Sequence, residues 1–202
     1  MIKKILIASL LLALAGCDQK PQAPFGFEWG QTIEKTKTQN LRKMDVNDEY
    51  SYVTFIHADS APEPSAYSGR YFLVFRPKFG LTNISFSKDV DQSSMLFDEG
   101  QRIYNDIAAK LEKKYGKPLE ILEKMDRDGT EFYDCLSKEG CGQWERKYKN
   151  KDMSIILKMQ PAGMLIPDFA KGSVNVEYEY FTDDMRKEDF NSSHDKGKDN
   201  NF

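Results

Sequence analysis

Hydrophobic and polar residues alternate most cleanly near the end of the chain, where Val174, Val176, Tyr178 and Tyr180 interleave with Asn175, Glu177 and Glu179. A period of two is the signature of a strand with one face inward and one outward. Leu81 to Ser87 keeps the same rhythm, with Thr82, Ile84 and Phe86 on one side, and Tyr71 to Arg76 is apolar on both faces, as a central strand is. Pro77 to Gly80 joins these two segments as a hairpin. Gln143–Tyr148, Met153–Met159 and Ser173–Phe181 predict three more strands, the first two linked tightly through Lys149–Asp152. Tyr50–Ala58 is rich in β-formers, and Leu119–Met125 reads as a strand or a further short helix. Helical spacing is clear once: Ile103, Ile107, Leu111 and Tyr115, widened by Tyr104 and Ala108, predict a helix over Ser93–Tyr115. Ser93 or Ser94 caps its start, and Gly116 and Pro118 end it after Lys113-Lys114. Gln31–Arg42 reads as a short polar helix with Ile33 and Leu41 as its few apolar residues. Asp59–Ser68 is a loop with two prolines, and Asp126–Thr130 is a turn.

These elements predict an α+β fold: an antiparallel sheet packed against the one long amphipathic helix, over residues 25–184. The order helix, strands, helix, strands is also that of a single or doubled α-β-β-β unit. The segment Phe25-Gly26-Phe27-Glu28-Trp29-Gly30 opens the domain, its aromatics capping one end of the core and Gly30 permitting a turn. From Met185 onward almost nothing can be buried, so residues 185–202 are expected to be a disordered tail.

The first seventeen residues follow a different pattern. Lys3 and Lys4 precede an apolar run from Ile5 to Ala15, about half the length of a transmembrane helix. Leu14-Ala15-Gly16-Cys17 closes it. This resembles the lipobox of bacterial lipoproteins, and the resemblance implies a signal peptide over residues 1–16 and cleavage before Cys17. It further implies a covalent lipid on the Cys17 thiol, with palmitate among the acyl chains, and attachment to the cell membrane on its periplasmic side. Asp18 resembles the inner-membrane retention signal of enterobacterial lipoproteins and favours that membrane, the outer membrane being the alternative. Residues 17–24 then serve as the lipidated Cys and linker, polar and with two prolines.

Charge narrows the partners. The chain carries a formal −3, and loss of Lys3 and Lys4 leaves 27 basic against 32 acidic side chains, or −5. A mildly acidic, mixed surface has no footprint for nucleic acid. Membrane attachment falls to the lipid.

With Cys17 acylated, Cys135 and Cys141 remain as a pair in an oxidising compartment, and a disulfide between them is expected. So short a loop removes little unfolded-state entropy, roughly 2 kcal/mol, and would pin a turn. A redox or metal role is disfavoured because there is no Cys-x-x-Cys spacing and no nearby His.

Residues for chemistry are sparse. Of the two histidines, His57 sits in a predicted strand and His194 in the tail. Nucleophile-elbow, zinc-protease and phosphate-loop motifs are absent. Asp126, Asp128 and Glu131 look like a calcium loop, but the Gly falls at the fourth position of the frame. Glu177 and Glu179 share a strand face about 7 Å apart, a spacing glycosidases use, yet a solvated outer face explains them better. Two features suit partner binding: the exposed side of the sheet, and the apolar loop holding Met164, Leu165, Ile166 and Phe169, for which burial over the sheet is the favoured fate.

The α-β-β-β order resembles small envelope lipoproteins and inhibitors of the BamE and β-lactamase-inhibitor-protein type. Phe25–Gly30 and the Lys114-Tyr115-Gly116-Lys117-Pro118 helix end are similar to those of other small bacterial lipoproteins. The resemblance brings no catalytic residues and no cofactor. The expectation is a non-enzymatic protein-binding module, of envelope-assembly, inhibitor or immunity type, whose partner is another envelope or secreted protein. The alternative is a periplasmic hydrolase using carboxylates on envelope glycans.

Overall fold

Strand-forming sequence dominates the fold. A computed structural model describes residues 20–92, 98–162 and 170–198. Its strands are β1 (Asp45–Tyr50), β2 (Val53–Ala58), β3 (Arg70–Arg76), β4 (Gly80–Val90), β5 (Glu120–Met125), β6 (Gly142–Asn150), β7 (Met153–Pro161) and β8 (Gly172–Tyr180). They form one eight-stranded sheet in the order β1-β2-β3-β4-β8-β7-β6-β5, antiparallel throughout. Each group of four strands is a meander, and the two meanders meet where β4 pairs with β8. There Ile84 lies opposite Tyr178 and Phe86 opposite Val176.

This corrects the expected architecture. The fold is not a small sheet packed on one long helix, nor a single or doubled α-β-β-β unit: among the described residues strand outweighs helix, 40% against 26%. The three predicted C-terminal strands do pair with one another, but they are less than half of the sheet. The reason lies in how the core face is covered. Helix α2 (Asp98–Tyr115), following the short helix α1 (Ile33–Lys37), packs mainly on β6, β7 and β8. The rest of the sheet is roofed by irregular chain. Phe27, Trp29 and Leu41 are buried, and the Phe25 ring stands 5.2 Å from Tyr71 and 5.8 Å from Tyr178. Phe25 holds a φ of 60°, a left-handed conformation that costs about 1 kcal/mol or more and is held by this packing. Beneath both covers, Ile56, Leu73, Ile84, Tyr178, Ile155 and Tyr148 run as one row across six strands, all buried. Each such side chain contributes about 1.5–3 kcal/mol relative to exposure.

Other differences are local. The predicted Gln31–Arg42 helix shrinks to the five residues of α1, capped by Thr32, whose hydroxyl accepts from the Lys35 N–H at 3.1 Å. The Tyr50–Ala58 segment forms β2, and the unpredicted β1 before it ends at Tyr50 and pairs back on β2. Phe132–Leu136 forms α3, a single turn that carries no readable period, with Phe132, Tyr133 and Cys135 buried. Residues 183–198 form α4 (Asp183–Lys198) instead of the expected disordered tail. Its start is capped by Thr182, which accepts from the Met185 N–H at 3.2 Å. It is held to the sheet by Arg186 on Glu179 at 2.8 Å, Asp189 on Arg76 at 3.1 Å, and a Glu188–Lys78 pair. The expected linker is also partly built in: Pro21, Ala23 and Pro24 are buried against the domain.

Candidate functional site

Strand alternation leaves the second face of the sheet uncovered over most of its width. Every residue that β2, β3, β4 and β8 turn away from the core lands there, and register assembles them into rows. One row runs Asp45, His57, Phe72, Ser85, Glu177, Ile156, Lys147 and Glu120 across all eight strands. A second runs Asn47, Phe55, Val74, Asn83, Glu179, Ser154 and Lys149.

The face has two halves. On β2 and β3, Phe55, Phe72 and Val74 are half-buried and His57 is exposed. The His57 imidazole lies 4.2 Å from the Phe72 ring centroid. The central strand β4 contributes small polar residues, Asn83, Ser85 and Ser87, which form a low column beside that aromatic patch. Beyond it, on β8, β7 and β6, charges are paired. Lys158 reaches Glu177 at 3.7 Å, and Lys147 reaches Glu145 at 3.2 Å and Glu120 at 2.7 Å. At the far rim of the apolar half, Arg70 is bound to Asp89 at 2.8 Å.

This arrangement suits recognition. A flat, strand-supported surface holds its side chains in fixed order, and the aromatic patch offers the anchors on which interfaces depend. Glu177 and Glu179 are half-exposed, the first paired with Lys158 and the second with Arg186 of α4. Among the concavities that lie elsewhere are these two. One, of about 780 Å³, sits between α1 and the β3–β4 turn and is lined by Lys20, Phe75, Arg76 and Tyr180. The other, of about 340 Å³, opens beneath the end of α2 between Phe25, Leu111, Tyr115 and Tyr178.

Of the residues singled out in the sequence, Cys17 and the loop residues Met164, Leu165, Ile166 and Phe169 lie outside the described residues. Cys135 and Cys141 form a disulfide, with Cα atoms 5.1 Å apart, which ties α3 to the start of β6. Glu131 of the calcium-like turn pairs with Arg127 at 3.7 Å. Among the described residues no three His, Cys, Asp or Glu side chains converge as metal ligands, and no helix is long and apolar enough to cross a membrane.

The sequence did not single out the polar cluster under α2. The Asp91 carboxylate, fully buried, accepts from the N–H groups of Glu99 at 3.1 Å and Gly100 at 3.2 Å and from the Tyr133 hydroxyl. Glu99 returns the bond by accepting from the Asp91 N–H at 2.8 Å. Burial pushes the Asp91 carboxyl up, and the Tyr133 and backbone hydrogen bonds pull it back. The cluster is a helix start anchored from a strand end; its only sequence signal is an Asp after β4 followed by Asp98 and Glu99. Comparison with protein-family models, with curated proteins and with solved structures finds no match.

Proposed function

We propose that the protein is an envelope lipoprotein, anchored through an acylated Cys17 on the periplasmic side of the membrane, which binds another envelope or secreted protein and catalyses no reaction. The observation that carries this reading is the uncovered face of the sheet: Phe55, His57, Phe72 and Val74 gathered beside the small residues of β4. An apolar patch on a rigid sheet, bordered by charges already paired with one another, is built like the core and rim of a protein interface. The roles open to it are envelope assembly, inhibition and immunity to a secreted toxin. Asp18 favours the inner membrane.

A photo-crosslinking side chain placed at Ser85 in the membrane-bound protein tests the reading. It is expected to capture one discrete protein, and a probe at Glu112 on the outer side of α2 is not. His57→Asp and Phe72→Ala are expected to abolish that capture while leaving the fold intact. Equal labelling from both positions, or cleavage of envelope glycans that disappears with Glu177→Gln, would overturn it.

A further inference from the structure

The chain is packed on the domain from its first described residues. Residues 21–24, which composition marks as linker, are laid onto the protein: Pro21, Ala23 and Pro24 are buried. The Lys20 ammonium lies 6.0 Å from the centroid of the Tyr180 ring, at the end of β8. Lys20 and Pro21 share a concavity of about 520 Å³ with Lys151 and Asp152 of the β6–β7 turn and with Thr182 and Asp183. The Cys17 of the lipoprotein reading lies three residues before Lys20. Three Cα-to-Cα steps span at most about 11 Å. The head-group layer takes up roughly 5–7 Å of that reach, since the bilayer is 10–15 Å thicker with its head groups than without.

We propose that the end of the sheet formed by Lys20, the β6–β7 turn and the β1–β2 turn rests on the phospholipid head groups. This rests on the lipoprotein reading of Cys17 and adds to it an orientation. The β1–β2 turn lies at the same end, because Tyr50 pairs with Val53 there, and Thr54 lines the same concavity as Lys20. It presents Tyr52 at 62% exposure and Tyr50 at 48%. Tyrosines and lysines are the side chains that settle at a lipid–water boundary, with an apolar body and a polar tip. Strands β7 and β8 then run away from the bilayer, and the nine residues of β8 carry Lys171 about 30 Å outward. The open face stands upright beside the membrane, reachable from the side.

The test uses the acylated protein, purified from membranes and reconstituted in phosphatidylethanolamine–phosphatidylglycerol vesicles without reductant. A fluorophore is attached at Lys151→Cys, at Tyr52→Cys or at Lys171→Cys, and head-group spin-labelled lipid is added as quencher. Quenching at positions 151 and 52 is expected to exceed that at 171 by about fivefold or more, because the quencher is confined to the head-group layer. Equal quenching at all three positions, in protein whose N-terminal peptide carries the acyl mass, overturns the orientation and leaves the lipoprotein reading standing. An N-terminal peptide without the acyl mass overturns both.

Discussion

The Tyr133 hydroxyl donates to the buried Asp91 carboxylate, linking α3 to the end of β4 and the start of α2. Three elements distant in sequence thus share one acceptor. Tyr133→Phe removes a donor from a buried carboxylate and is expected to cost about 1–3 kcal/mol, read as a lower urea midpoint with an unchanged slope. Asp91→Ala is expected to cost more, because it strands the Tyr133 hydroxyl and two backbone N–H groups.

Space around the same ring is the second prediction. A Cβ built on Gly172 runs into the Tyr133 ring, and one on Gly100 meets the Tyr133 hydroxyl at 2.5 Å and the Met159 methyl at 2.7 Å. Gly172→Ala is expected to destabilise by about 1–3 kcal/mol, as overpacking does. Combined with Tyr133→Ala, its added cost is expected to shrink to what the Gln160 carbonyl oxygen, 2.6 Å from the same Cβ, still imposes, a coupling that a double-mutant cycle measures directly.

Glu123 on the edge strand β5 accepts from Arg146 at 2.5 Å and from the Tyr104 hydroxyl at 3.0 Å. Both charged side chains are about one-fifth exposed, and the Arg146 guanidinium lies 5.6 Å from the Tyr104 ring centroid. Glu123→Ala leaves that cation half-sheltered and alone. The expected loss is about 1–3 kcal/mol, less than for a fully buried pair because water still reaches the site. Thermal unfolding of the single variant and of Glu123→Ala with Arg146→Met separates the cost of the stranded charge from the worth of the pair.

Acid should loosen the contact between α2 and the loop before β3. The Lys110 ammonium and the Tyr67 hydroxyl, both donating to Asp106, hold its carboxyl below the ordinary 3.8. A depressed carboxyl contributes stability above its unfolded value and loses it as pH falls through the folded value. The contribution is therefore present at neutral pH and disappears below about pH 4. Asp106→Asn is expected to lower stability at pH 7 and to flatten that acid limb, in urea titrations at pH 7 and pH 3.

Legibility in the sequence followed burial pattern. β8, β3, β4 and α2 were readable because each buries one face or both in a regular period. β1 was not: Asp45–Tyr50 is an edge strand whose residues are all exposed or half-exposed, so no alternation is imposed on it. The covering segment from Phe25 to Leu41 was unreadable as cover for another reason. Its buried Phe27 and Trp29 sit on backbone without a repeat, and periodicity detects only repeats. The long helix, the one cover with a readable period, lies mainly over three strands of the sheet. The polar side of β8 pointed to an open face, but only register brings Phe55, His57 and Phe72 onto it. The disulfide was legible because two cysteines six residues apart, in the oxidising compartment that the lipobox resemblance implies, have little other use.

The junction of β4 with β8 governs how the chain folds. Within each meander, hairpin partners are close in sequence and can pair early. Asn83 and Glu179 must meet across nearly a hundred residues, and closing so long a loop costs about 4 kcal/mol before any contact repays it. The seam should therefore close late, after two half-sheets have formed. Until then each half-sheet ends in an unsatisfied strand bearing Ile84 and Phe86 on one side of the gap and Val176 and Tyr178 on the other. Those are sticky edges, able to pair with other chains. Refolding yield should therefore fall steeply as chain concentration rises, while the closed sheet no longer offers those edges.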